Sequence, residues 1–166
     1  FGPEHLDRTS GVGTLDFADG EVTAGLVAFE QGEPTVNGAQ AAFMRVPAFT
    51  AAENGLNLTM PTKPVGNEGY INRYTMVWDI LLPWDVSWTP FFNTAPNNSN
   101  DADFYVSDTG ALGIGALGYS QAGVVQPDTW YRIVFSANLV AGRVTIYVNG
   151  TPVHSRTGAS LANGRF

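Results

Sequence analysis

The sequence predicts an all-β protein, an antiparallel sandwich of two sheets, and three observations carry that expectation. Short runs rich in Val, Ile, Phe, Tyr and Thr alternate apolar and polar residues with period two, as half-buried strands do. Gly, Asn, Asp and Pro bound these runs at close intervals. No heptad and no sustained helical period interrupts them. About ten such runs at this spacing suit two packed antiparallel sheets. With 166 residues, 44% of them hydrophobic, the chain suits one domain, residues 1–166, with an ordinary packed core. No linker, low-complexity tract or internal repeat divides it.

Taken in order, VGTLDFA at 12–18 reads as a strand closed by the turn dipeptide Asp19-Gly20. GLVAFEQ at 25–31, AAFMRVP at 41–47 and LNLTM at 56–60 follow, with 50–55 a helical turn or a loop. The long run NRYTMVWDILLP at 72–83 puts Tyr74, Met76, Trp78, Ile80 and Leu82 on one face and Thr75, Val77, Asp79 and Leu81 on the other. WTPFFNT at 88–94, DFYVS at 103–107 and ALGIG at 111–115 are shorter. TWYRIVFSAN at 129–138 groups Tyr131, Ile133 and Phe135. In GRVTIYVNGTPVHS, Val144, Ile146 and Val148 alternate with Arg143, Thr145 and Tyr147, and Asn149-Gly150 supplies the two positive-φ residues of a type I′ hairpin turn. The return strand contains Pro152, tolerable where its missing N–H points off the sheet. Trp78 and Trp130 are expected in the core.

Charge narrows the partners. The net charge is −7, with 8 Lys+Arg that nowhere cluster. Nucleic acid and anionic membrane are poor partners, because phosphate binding needs concentrated positive charge. No window approaches the apolar length of a membrane span. The absence of Cys excludes disulfides and thiolate metal sites and leaves the compartment open.

The order YTMVWDILLP, then FFNTAPNNSNDADFYVSDTGALGIG, then PDTWYRIVFSANLVAGRVTIYVNGTPV resembles laminin G-like domains of the concanavalin A-like lectin/glucanase superfamily. The shared elements are a Trp that opens a strand, Trp130, the alternating YRIVFS, and IYVNG leading into a hairpin; the match runs over about 70–153. The resemblance implies a jelly-roll sandwich. It also implies strands beyond 166, so the chain is expected to be an incomplete domain, its open edge covered by strands from a second chain or a neighbouring domain. The jelly roll hosts lectins, glycosidases, lyases and passive modules, so it does not fix function.

Catalysis has little to stand on. The glucanase branch carries Glu-x-Asp-x-x-Glu along one strand, and that motif is absent here. The long strand offers Asp79, read as a hydrogen-bonded sheet residue. Asp101 and Asp103 lie in an Asn-rich loop rather than on a sheet face. No Gly-x-Ser-x-Gly elbow is present. The loop NTAPNNSNDADF gathers oxygen-bearing side chains, and Asn98, Asn100, Asp101 and Asp103 are candidate ligands for calcium, a hard cation that takes 6–8 oxygens. The resemblance points the same way, since laminin G-like domains often hold calcium near a loop edge. The competing reading is a solvated turn built from ordinary loop residues.

Carbohydrate binding is the third chemistry. Sugar rings stack on flat aromatic side chains while carboxylates and amides take the hydroxyls. PWDVSWTPFF sets Trp84 and Trp88 around Asp85, and these three form the candidate carbohydrate site. In the competing reading Trp88 caps the core and Trp84 plugs one end of the sandwich. The leading expectation is a non-catalytic, secreted module, extracellular or periplasmic, that recognises polysaccharide or another extracellular surface for an attached enzyme or adhesin. A structural accessory domain comes second and a polysaccharide-active glycosidase or lyase third.

Overall fold

The computed structural model describes residues 14–17, 27–36, 39–46, 55–59, 71–83, 88–93, 104–115 and 117–158. The chain divides into two compact units, Phe1–Thr62 and Lys63–Phe166. Every strand pairing among the described residues is antiparallel.

The described residues of the first unit form two strand pairs. β1 (Thr14–Phe17) pairs with β4 (Leu56–Thr59), Phe17 opposite Leu56. β2 (Ala28–Val36) pairs with β3 (Ala39–Arg45), with a register shift between Gly32 and Thr35. Arg45 grips Glu30 across this pair with two hydrogen bonds, Nε to Oε1 at 2.7 Å and Nη2 to Oε2 at 3.0 Å.

The described residues of the second unit form two four-stranded sheets. In one, β5 (Arg73–Leu81), β10 (Trp130–Asn138), β11 (Arg143–Val148) and β12 (Thr151–Thr157) lie in the order β12-β11-β10-β5. In the other, β6 (Thr89–Phe92), β7 (Phe104–Val106), β8 (Leu112–Ile114) and β9 (Gly118–Tyr119) follow one another. Their inner faces share one core. Ile133, Phe135, Val144 and Ile146 from the first sheet meet Phe104, Val106 and Leu112 from the second. Phe104 stands at its centre, its ring 5.0 Å from both Phe91 and Phe135 and 5.9 Å from Trp78.

The period-two expectations hold on β5 and β11. Tyr74, Met76, Trp78 and Ile80 are half-buried while Thr75, Val77, Asp79 and Leu81 are exposed. Val144, Ile146 and Val148 are buried. The Asn149-Gly150 turn has positive φ at both residues, 48° and 81°, as a type I′ turn requires. Asn149 adds a contact of its own, since its side-chain Oδ1 accepts from the Arg132 N–H at 2.9 Å. Pro152 lies on β12, an outer strand of its sheet, where a missing donor is tolerated.

Three features differ from expectation. β9 is an additional strand of two residues, too short for any periodicity to reveal. Trp130 is not a core residue: it pairs opposite Leu81 on the outer face, and its neighbour Tyr131 packs on the core instead. The reason is alternation itself, because Ile133 and Phe135 point inward and a residue three before Ile133 must point outward. β-bulges also break the simple pattern on two outer strands. Between Pro90 and Phe92 on β6 the register shifts, and consecutive Phe91 and Phe92 both reach Trp78. On β12 a second shift lets consecutive Val153 and His154 both serve the interior. Val153 packs on the core, and His154 Nε2 hydrogen-bonds the Leu117 carbonyl at 3.0 Å, linking this edge to the β8–β9 turn.

Candidate functional site

The outer face of the β6–β9 sheet carries an aromatic cluster, and its origin is local. Phe104 and Val106 point into the core, so Tyr105 between them points outward. Tyr105 pairs with Gly113, and Gly113 with Tyr119. Gly113 sets the geometry of this row. A Cβ there would lie 2.1 Å from the Gly118 carbonyl oxygen and 2.8 Å from the Tyr119 Cα, so β9 lies against β8 in space that any side chain would need. The close approach draws Tyr119 in toward the middle of the face.

Trp88 enters from the opposite side. It precedes β6, and its ring stands edge-on to Tyr119 at 6.0 Å between centroids and 88° between planes. β6 and β9 are the outermost strands of the order, three spacings apart at about 4.8 Å each. Both side chains must therefore lean over the sheet to meet. Trp88 remains 52% exposed. Its backbone has φ 51°, the left-handed region that a bulky residue rarely enters. An exposed indole held by a strained backbone is a poor way to cap a core, because neither burial nor backbone energy is gained.

The electrostatics of the face are mild. Burial pushes the Tyr119 phenol above its ordinary pKa, with neighbouring Tyr105 adding to the effect. Tyr119 is therefore an uncharged hydroxyl at neutral pH, able to donate and to accept. Edge-to-face ring geometry suits the quadrupoles of the two rings, and the 52% exposure of Trp88 leaves indole surface for a further ring.

Other sequence candidates fare differently. Trp84 and Asp85, and the calcium candidates Asn98, Asn100, Asp101 and Asp103, lie outside the described residues. Among the described residues no group of three or more His, Asp or Glu is placed to hold a metal ion. Asp79 is engaged: Arg132 lies directly opposite on β10 and clasps it with Nε to Oδ1 at 2.7 Å and Nη2 to Oδ2 at 2.6 Å. That grip holds the Asp79 carboxyl below its usual range, mainly through the hydrogen bonds. A pocket of about 190 Å³ beside the β7–β8 turn is lined by Leu82, Val106, Ser107, Gly110, Val125 and Gln126 among others. It is smaller than the roughly 300 Å³ at which ligand pockets begin. Its buried hydroxyl, Ser107 Oγ, accepts from the Thr109 and Ala111 N–H groups and so serves the turn.

Tyr105, Gly113 and Tyr119 are the members of the cluster that sequence reasoning did not single out. Alternation in DFYVS was signal enough to turn Tyr105 outward. Nothing local marks Tyr119, whose place depends on the glycine it pairs with. No protein-family model matches the chain, and neither the curated proteins nor the solved structures yield a match.

Proposed function

We propose that the chain is a non-catalytic recognition module of laminin G-like, jelly-roll type that binds carbohydrate in an extracellular or periplasmic setting. The observation that carries this reading is Trp88, half exposed and in T-shaped contact with Tyr119 on the outer face of the β6–β9 sheet. A sugar ring gains from stacking on such a plane, and an indole already in contact with a neighbouring ring has less side-chain freedom to lose on binding. Tyr119 stands in one cross-strand row with Gly113 and Tyr105, and its phenol can meet a sugar hydroxyl. The non-catalytic part of the reading is supported by Asp79, the one carboxylate on the long strand, being held by Arg132. The test is a titration of a polysaccharide panel followed by Trp fluorescence, with Trp88→Ala as the control. At least one sugar is expected to perturb the emission, and the substitution is expected to remove that response with little change in Tm. A panel without any response would leave the aromatic face without a ligand.

A second reading, an accessory domain that packs on a neighbour, draws on a different observation. Val77 and Leu81 are exposed on the outer face of β5, with Val77 at 55%. Val134 and Trp130 stand opposite them on β10, and apolar side chains gathered on a sheet face are a common mark of protein contact. A sugar response that disappears in Trp88→Ala would favour the recognition reading over this one.

A further inference from the structure

Resting on the aromatic face as the binding surface, we infer that it selects neutral glycans over glycans bearing carboxylate or sulfate groups. The described cationic side chains of the second unit are Arg73, Arg132, Arg143 and Arg156, and all four stand on β5, β10, β11 and β12. None of the described residues on β6, β7, β8 or β9 is Lys or Arg. The turn joining β7 to β8 carries the opposite sign, Asp108. Of the four arginines, Arg132 is already bound to Asp79.

Anionic sugars need more than an aromatic plane. Carboxylates and sulfates are recognised by charge-assisted hydrogen bonds, above all from the planar fork of Arg. A chain of net charge −7 adds a repulsive field that an anionic polymer must overcome on approach. Among the described residues, a polar group of this face is the Tyr119 phenol. A phenol both donates and accepts, which complements a sugar hydroxyl and does nothing to balance a negative charge. His154 lies beside Gly118, and its Nε2 is hydrogen-bonded to the Leu117 carbonyl. Among the described residues the face thus holds a stacking surface and a neutral hydroxyl without a Lys or Arg counter-charge.

The experiment is isothermal titration of the full chain, and of Trp88→Ala and Tyr119→Phe, with two sets of oligosaccharides at low and at physiological salt. The neutral set contains gluco-, galacto-, manno- and xylo-oligosaccharides. The anionic set contains oligogalacturonates and heparin-derived fragments. The expected result is binding of at least one neutral sugar about tenfold or more tighter than any anionic one at both salts. Trp88→Ala should abolish that binding, and Tyr119→Phe should weaken it while keeping the ring contact. An anionic sugar that binds as tightly as the neutral ones, and is lost in Trp88→Ala, would overturn the selectivity while leaving the aromatic face as the site. Binding that survives Trp88→Ala, or no binding by either set, would remove the site and the selectivity with it.

Discussion

At the scale of single residues, Trp88 combines two features that stability alone would not select, an exposed indole and a left-handed backbone. For a residue with a Cβ the left-handed conformation costs roughly 1–2 kcal/mol, and glycine adopts it freely. Replacing Trp88 with Ala removes the ring and keeps the strain; replacing it with Gly removes both. Trp88→Gly is therefore expected to be more stable than Trp88→Ala by about 1 kcal/mol in urea unfolding, although both lose any sugar response. Equal midpoints for the two would mean that the φ at position 88 is not a source of strain. The site was partly legible at this scale. The doublet of tryptophans in PWDVSWTPFF marked Trp88, because exposed Trp is unusual. Tyr119 left no such mark, since its position follows from a backbone approach that only the absent side chain of Gly113 permits. A glycine in sequence does not say what will fill the space beside it.

At the scale of elements, the β10–β11–β12 ribbon shows local sequence and long-range contact acting together. Asn149 tolerates φ 48° and also accepts from the Arg132 N–H. Asn149→Gly keeps the turn and loses that hydrogen bond; Asn149→Ala loses both. The Gly variant is expected to cost about 1 kcal/mol and the Ala variant about 2, read from chemical denaturation. A Gly variant as costly as Ala would assign the whole effect to the side-chain bond. The neighbouring cross-strand pair Asp79–Arg132 predicts a pH dependence. The Asp79 pKa is lowered in the folded chain, so the pair stabilises above the ordinary carboxylate range. That contribution falls away as pH drops below about 4 toward the lowered folded value. Both partners are more than half exposed, which keeps the contribution small and salt-sensitive. Asp79→Asn should lower Tm by a few degrees at most at neutral pH, and the gap should close in acid and in high salt. A gap that widened in acid would reverse the sign of the argument. The strands themselves were legible, because alternation and turn dipeptides are local signals. The bulges on β6 and β12 were not, since consecutive Phe91-Phe92 and Val153-His154 look like breaks in alternation until the core shows why both must turn inward.

At the scale of the whole molecule, what was legible is the all-β, antiparallel character, because it is the sum of many local alternations. Strand order was not, because pairing β5 with β10 joins segments that no short-range pattern connects. In the second unit that long-range order has a physical centre. Phe104 is fully buried and its ring lies within 6.2 Å of the rings of Trp78, Phe91, Phe92 and Phe135. Trp78 and Phe135 belong to one sheet, and Phe91, Phe92 and Phe104 to the other, so this cluster is where the two sheets hold each other. Truncating a buried Phe to Ala typically costs about 3–5 kcal/mol, through lost transfer energy and the cavity left behind. Native domains hold only about 5–15 kcal/mol in total. Phe104→Ala is therefore expected to remove a large part of the stability of this unit, with Phe104→Leu costing much less because it fills most of the space. The measurement is urea unfolding followed by Trp fluorescence and by far-UV circular dichroism. If the cluster joins the sheets into one cooperative body, both signals should shift together to lower urea. A fluorescence transition that moved while the circular dichroism stayed in place would mean that the two sheets hold without Phe104, and that the core is centred elsewhere.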